Sequence, residues 1–382
     1  MPGCTRSAFV CDMPFRLLYI LPGGRAERLQ LGEGKFPDEF FYGYCQLSRR
    51  RGWQAELITR GYQSHVGIFL QKVLHWFTRL SPDFGDASRL SGDLLHRFDA
   101  IVSMSEPVLL MLALRKRHRR DGAGLVLIQM GADKRIERSR LPVLTRRMLK
   151  WLYERLAAVI VIGEGERDYL LQQGLIEPAR LYLVQFGVDA GFWAPAEAGL
   201  EKEYVLAVGN DDGRDYETLL KAIGNHPLHL HTSRPLGEAL IPPNVIRTKG
   251  DWSGQALSDQ ELRDLYRECR FVVTPLHDST QPQGQSVTLQ AMACGKAVVL
   301  SRTRGLWSRE LMRHMDNCYL VSPGDVTALR KAIDHLQGDA NLRARLGKAA
   351  RQSVEQNFSS DLMGERIGAI LEGNPRRTEM AC

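Results

Sequence analysis

The feature that most constrains this chain is an alternation, from one end to the other, of short apolar runs with helical patterns. FRLLYIL at 15–21, FDAIVSM at 98–104 and GLVLIQM at 124–130 are of strand length and apolar almost throughout, without the every-second-residue polarity of a sheet facing water. EPVLLMLALRKRHRR reads as a helix between the last two, and FFYGYCQLSRRRGW as one helix ahead of the strand WQAELIT. A further helix over 142–156 carries Val143, Leu144, Met148, Leu149, Leu152 and Leu156 at helical spacing. AAVIVIG, YVLAVG, LHLHTS, NVIRTKG, FVVTPL, AVVLS and CYLVSP continue the series, with helices expected from Tyr216, from Ser258 and from about Ser286. Strands buried on both faces and alternating with helices imply parallel sheets covered on both sides, the doubly wound α/β class.

A chain of 382 residues is too long for one ordinary core and suits two domains. The turn-rich stretch VQFGVDAGFWAPAEAGLEKE is the best junction, which predicts an N-terminal Rossmann-like domain over 1–190 and a second over 191–358. Residues 359–382 are expected to form a helix and tail that pack back toward the first domain. Two such domains face each other across a cleft, and ligands of such sheets lie outside the carboxyl ends of the strands. Functional residues are therefore expected in loops just after strands.

Composition narrows the partners. The seven cysteines are scattered, with no CxxC pair or Cys/His cluster at zinc spacing, and read as reduced packing thiols. No run approaches the roughly 18 to 20 apolar residues of a spanning helix, and the N-terminus lacks the order of a secretory signal, so a cytoplasmic protein is expected. The net charge of +7 comes from residues 1–190, with 28 Lys and Arg against 20 Asp and Glu, whereas the rest has 23 against 24. Such asymmetry points to an anionic partner, a lipid headgroup surface or a nucleic acid, with solvated helix faces as the plain alternative. The run RKRHRR at 115–120 reads as a solvated helix end. The stripe Ile68, Phe69, Val73, Leu74, Trp76, Phe77 and Leu80 reads first as ordinary core and second as a membrane-interface face.

Three post-strand loops carry the chemistry. Gly23 and Gly24 follow the first strand and would let a backbone approach a ligand, or form a plain turn. In VGNDDGRDYETLLKA, Asn210, Asp211, Asp212, Gly213 and Arg214 lie just before a helix, where the dipole favours anions over cations. Arg214 makes sense there beside a bound phosphate, or salt-bridged to Asp211, Asp212 or Asp215. In VVTPLHDSTQPQGQSVTLQAMACGKAVVL, Gly284, Gln285 and Ser286 put open backbone and a hydroxyl at a helix start, which suits a diphosphate, although Ser286 as a plain N-cap is the alternative. Gln290, one turn on, is placed to hydrogen-bond a diol, and Ala291, Ala293 and Gly295 would let helix and strand approach closely.

Three segments carry a family resemblance: YVLAVGNDDGRDYETLLKAI, then FVVTPL through QPQGQSVTLQAMACGKAVVLS, then NCYLVSPGDVTALRKAIDHLQGDANLRARLGKAARQSVEQNFS. With AAVIVIGEGERDYLLQQG and VQFGVDAGFWAP upstream, they resemble the retaining glycosyltransferases of the large bacterial group 1 family, family 4-like, which have the two-domain GT-B fold. The likeness spans about residues 157–358, and the first domain matches through its Gly-Gly loop and strand order. The family usually has two glutamates separated by seven residues, the first beside the donor sugar and the second on the ribose. Here Gln290 stands at the second position and Pro282 at the first, so Gln281, Gln283 or Asp278 would meet the sugar. Asn210 replaces the family's pyrophosphate arginine, Arg214 falls where its lysine lies, and its first-domain histidine is absent, the place being near Gln129 and Met130.

The resemblance implies a nucleoside diphosphate sugar on the second domain and an acceptor on the first. Arg214 and Gln290 are the expected catalytic residues. Gly23, Gly24, Asn210, Asp278, Gln283, Gly284, Gln285 and Ser286 join them in holding the donor, with no metal ion or other cofactor. The expected acceptor is lipid-linked or a growing polysaccharide, in exopolysaccharide or cell-envelope glycan synthesis, with the basic domain peripheral at the inner membrane face. Two other functions compete: a nucleotide-sugar-binding protein without turnover, and a nucleotide-sugar epimerase on the same fold. A nucleic-acid role lacks aromatic interleaving or a recognised module.

Overall fold

A computed structural model describes residues 14–32, 34–59, 65–84, 92–116, 118, 121–196, 201–237, 241–249 and 257–373. The first sheet comprises β1 (Phe15–Leu21), β2 (Trp53–Thr59), β3 (Ala100–Ser103), β4 (Gly124–Gln129), β5 (Ala158–Val161) and β6 (Leu181–Leu183). The second comprises β7 (Val205–Val208), β8 (Leu228–His231), β9 (Val245–Thr248), β10 (Phe271–Thr274), β11 (Val298–Ser301) and β12 (Tyr319–Val321). Their orders are β2-β1-β3-β4-β5-β6 and β12-β11-β10-β7-β8-β9. Neighbouring strands run parallel, in registers such as Leu17 opposite Ala100 and Phe271 opposite Val205.

The burial pattern explains the order. The inner strands β3, β4, β5, β7, β10 and β11 are buried at every residue, because helices cover both faces, while the edge strands β2, β6 and β9 keep partly exposed positions. Strand order reverses between β1 and β3 in one sheet and between β7 and β10 in the other, which opens a crevice at each carboxyl edge.

Several expected details differ. FFYGYCQLSRRRGW is not one helix: a turn of 3-10 helix at Glu39–Phe41 is followed by Tyr42 and Gly43 with φ 50° and 84°, and a new helix, Tyr44–Ser48, begins there. The left-handed pair ends the short helix, and Glu39 ahead of it is fully buried. The helix Gln285–Ala293, which carries Ala291 and Ala293, packs on β10 and β11 as expected and also on the helix Ala340–Asn357, where a Cβ at Gly347 would lie 2.1 Å from the carbonyl oxygen of Gly295. The terminal helix Ser360–Glu372 packs on Tyr44–Ser48, with Arg50 and Glu372 paired at 2.8 Å. Cys45, Cys269, Cys294 and Cys318 are buried and not joined in disulfides, while Cys4, Cys11 and Cys382 lie outside the described residues, as does part of the 115–120 run.

The expectation of core for the 68–80 stripe is overturned. On the helix His65–Thr78, Phe69, Leu70, Val73, Trp76 and Phe77 are exposed, Phe69 to 67%, and only Leu80 beyond its end is buried. Ile68 and Leu74 are half-buried, and the helix packs on Pro142–Arg155, whose own Val143 and Leu144 are exposed, so the contact leaves those apolar residues of both elements uncovered. Among the described residues no helix is long and apolar enough to cross a membrane.

Candidate functional site

The carboxyl end of β7 builds the first half of the site. Gly209 has φ 142°, and a Cβ there would lie 2.3 Å from Nε of Arg214, so the absent side chain is what admits the guanidinium. The Arg214 side chain is 2% exposed, with Nε 2.7 Å from Oδ2 of Asp211, whose other oxygen accepts the Gly213 N–H. The loop after β10 is tied alongside: Asp215 N–H donates to the Pro275 carbonyl at 3.1 Å, and His277 N–H to that of Gly213 at 2.8 Å.

This pairing of loops sets Arg214 against the start of the helix Gln285–Ala293. Gly284 is its N-cap, with φ 71° and no side-chain cap, so Ser286 does not cap the helix. A Cβ on Gly284 would lie 3.2 Å from Nη1 of Arg214, and that buried nitrogen makes no hydrogen bond. The salt-bridge reading of Arg214 holds for Nε, which is paired with Asp211, while Nη1 has no hydrogen-bond partner. A buried guanidinium edge beside free helix N–H groups is a binding geometry for an anion.

Gln290 is committed inward. Its Nε2 donates to Oε1 of Glu39 at 2.9 Å and its Oε1 accepts from the Tyr266 hydroxyl at 3.3 Å, so the amide is not open to a diol in this conformation. The reason is burial: at 4% exposure the amide must find protein partners, and Glu39 is the acceptor within reach. Glu39, fully buried, also accepts from Trp193 Nε1 at 2.9 Å and from the Asp189 N–H at 3.3 Å, joining first domain, linker and second domain. Burial pushes its carboxyl up to about 7, against the opposing pull of the Gln290 and Trp193 donors.

The loop from Asp278 to Gln283 spans the cleft. Asp278 is ion-paired to Arg304 at 2.8 Å on the exposed side. Thr280 and Gln281 both donate to the carboxylate of Asp133, in the first domain after β4, the latter at 3.0 Å. Gln283 lies against Gly213 with its Oε1 buried and unbonded, and Gln285 donates to the Ile162 carbonyl at 3.2 Å. Gln129, near the family's histidine position, is buried between Glu106 and the Tyr153 hydroxyl. Glu166 accepts the Ala132 N–H at 2.9 Å, and burial raises it, too, to about 7.

A cleft of about 530 Å³ lies between these loops. Arg79, Lys134, Arg135 and Arg138 line one wall, and Asp211, Asp212, Gln281 and Gln283 the other, with Arg138 and Asp212 meeting at 3.5 Å. Among the expected donor residues, Gln283 reaches this cleft and Arg214 and Gly284 stand behind it. Asn210 is occupied with the Ser233 N–H at 2.7 Å. Gly23 and Gly24 are exposed and do not line the cleft; Gly24 opens the helix Arg25–Leu29, whose Arg28 pairs with Asp259 of the second domain. Among the described residues no group of three or more His, Cys, Asp or Glu is placed to hold a metal ion.

Two functional candidates escaped the sequence reading. Glu39 carried a signal, a carboxylate beside Asp38 inside the aromatic run FPDEFFYGY, and Asp133 another, an acid two residues after the glycine that follows a strand.

Two parallel six-stranded sheets with a cleft between their carboxyl edges define the GT-B fold of glycosyltransferases. Similarity to solved structures agrees: Anabaena HepE in complex with UDP aligns with a TM-score of 0.64 at 16% identity, over 94% of this chain and all of that one. Each half also matches a glycosyltransferase family model, Glycosyltransferase Family 4 over residues 42–192 and Glycosyl transferases group 1 over residues 220–339. The alpha-maltose-1-phosphate synthase of Mycolicibacterium smegmatis is 25% identical over 234 residues, 53% of this chain and 59% of that protein. The GDP-mannose-dependent monoacylated phosphatidylinositol monomannoside mannosyltransferase of Corynebacterium glutamicum is 34% identical over 90 residues, 24% of this chain and 23% of that one. The chain thus spans less than two thirds of the curated relatives it matches.

Proposed function

We propose that this chain is a glycosyltransferase that moves a sugar from a nucleoside diphosphate sugar to a lipid-linked or glycan acceptor with retention of configuration, in exopolysaccharide or envelope glycan synthesis at the inner membrane face. One observation carries the donor half of this reading: the unbonded Nη1 of Arg214 beside the uncapped helix start at Gly284. The UDP bound to HepE, a protein of the same fold, supports a nucleotide ligand in this class of cleft.

In this reading the leaving diphosphate lies between Arg214 and the amides of Gln285 and Ser286, with Gln281 and Gln283 toward the sugar. Negative charge grows on the diphosphate as the glycosidic bond breaks, so donors fixed in place favour the transition state over the ground state. One such donor contributes about 3 kcal/mol, roughly a hundredfold in rate. These groups supply the charge a metal ion would otherwise bring, and turnover is expected to be unchanged by chelator; loss of turnover on chelation, restored by a divalent ion, would refute that part.

The test is a thermal-shift series with UDP-, GDP- and ADP-sugars, in which a ligand at a hundred times its dissociation constant stabilises by about 2.7 kcal/mol. No shift with any of them would remove the donor assignment. A second reading, binding without turnover, is favoured by the commitment of Gln290 to Glu39 and by Pro282 at the family's first glutamate position. Slow hydrolysis of the stabilising sugar nucleotide, abolished by Arg214→Ala, would exclude it.

A further inference from the structure

The apolar residues that failed to enter the core lie on two helices stitched together at the cleft's cationic wall. Trp76 and Phe77 stand at the end of His65–Thr78 with ring centroids 4.6 Å apart. The Arg140 and Leu141 N–H groups both donate to the Phe77 carbonyl, at 2.8 and 3.1 Å, and Thr145 Oγ1 donates to that of Thr78 at 2.7 Å. These bonds tie the exposed Leu141, Val143 and Leu144 to the end of the helix that carries the exposed Phe69, Val73 and Trp76. The same helix ends in Arg79, whose carbonyl accepts from Arg135 at 3.0 Å and whose Nε donates to the Arg138 carbonyl at 3.2 Å. The apolar face and the cationic wall are therefore one rigid unit.

Among the described residues the exposed charges on His65–Thr78 and on the first turns of Pro142–Arg155 are cationic, with Glu154 exposed only near the far end of the second helix. Lys72, Arg140, Arg146, Arg147 and Lys150 are exposed on the two helices and their connection, and the Arg140 guanidinium lies 3.6 Å from the centre of the Trp76 ring. Aromatic and aliphatic side chains ringed by cations match a lipid interface, where apolar burial and attraction to anionic headgroups act together.

We propose that the face formed by His65–Thr78 and the start of Pro142–Arg155 docks on an anionic phospholipid bilayer, with the mouth of the cleft at headgroup level beside Arg79 and Arg138. An acceptor bearing an acyl or isoprenoid chain and a phosphate then reaches the cleft without leaving the membrane, its anion meeting the Arg79, Lys134 and Arg138 wall. This rests on the glycosyltransferase reading for the acceptor, but the docking itself does not.

Flotation with vesicles of equimolar phosphatidylglycerol and phosphatidylcholine, compared with phosphatidylcholine alone, tests it at low salt. The expected result is binding to the anionic vesicles at least tenfold tighter than to the neutral ones, and a further tenfold loss in the Phe69→Ser, Val73→Ser variant. Both positions are exposed, so the variant should keep the wild-type melting temperature and nucleotide shift. Hydrogen exchange on the wild-type chain provides the second measurement, with protection on vesicle binding centred on residues 68–78 and 141–147. Absence of binding, binding indifferent to the double substitution, or protection elsewhere would overturn the proposal. So would a dimer in solution that protects the same segments without lipid. A nucleotide-induced thermal shift that survives any of these failures separates them from failure of the donor site.

Discussion

Replacing Arg214 with methionine separates a ligand-binding arginine from a structural one. The substitution keeps an unbranched stem in the buried slot beside Gly209 and removes the charge. In the unliganded protein the loss is small, because Asp211 is 40% exposed and can rehydrate, and an ion pair of that kind contributes about 1 kcal/mol or less. The buried, unbonded Nη1 works in the opposite direction, since such a donor costs about 1–3 kcal/mol, so stability should change little or rise. With a diphosphate bound, the same nitrogen makes a charged hydrogen bond of about 1.5–3 kcal/mol, so the dissociation constant should rise roughly 10- to 150-fold. Calorimetric titration with the nucleotide that gives the largest thermal shift, alongside urea unfolding without ligand, reads both numbers. Affinity within threefold of wild type, or a loss of more than about 3 kcal/mol in the unliganded protein, would refute the assignment.

Glu39 gives a pH prediction. With its carboxyl raised from 4.5 to about 7 by burial, the folded chain holds a proton that the unfolded chain has released, so stability falls as pH rises from about 4.5 to about 7. The full loss is about 3 kcal/mol, because holding a proton one pH unit further costs about 1.4 kcal/mol. Glu166, raised to about 7 likewise, contributes a second such fall, so Glu39→Gln should roughly halve the difference between unfolding free energies at pH 5 and pH 8; an unchanged difference would count against it. Gly284→Ala should cost about 1–3 kcal/mol in backbone strain and weaken nucleotide binding, because its Cβ would lie 2.7 Å from Thr274 Cγ2 and 3.2 Å from Nη1 of Arg214. Gly24→Ala, also at positive φ but facing open space away from the cleft, should lower the melting temperature while leaving nucleotide affinity unchanged. Equal effects of the two glycine variants on affinity would sink the distinction.

The periodicity of the sequence was sufficient for the α/β class, for most strands and for the two-sheet organisation, because continuous burial of a strand on both faces leaves its mark residue by residue. Val205–Val208, Phe271–Thr274 and Val298–Ser301 are apolar wherever the parallel sheet requires it. The neighbourhood of Arg214 was legible for a similar reason, since a cation before a helix start is locally anomalous. The fate of the exposed stripe was not, because helical spacing of Phe69, Val73, Trp76 and Phe77 is the same whether a helix faces core or solvent; only the packing of the partner helix, which leaves its own Val143 and Leu144 exposed, decides which. Nor was the environment of Gln290 legible. Its partner Glu39 lies 251 residues away, ahead of the interruption in helical structure at Tyr42 and Gly43. Local pattern determined which segments form strands and helices and which loops gather at the sheet edges. Tertiary packing alone decided which polar groups are spent on one another and which, like Nη1 of Arg214, are left without a protein partner, because hydrogen-bond partners are chosen by proximity in space and not by spacing along the chain.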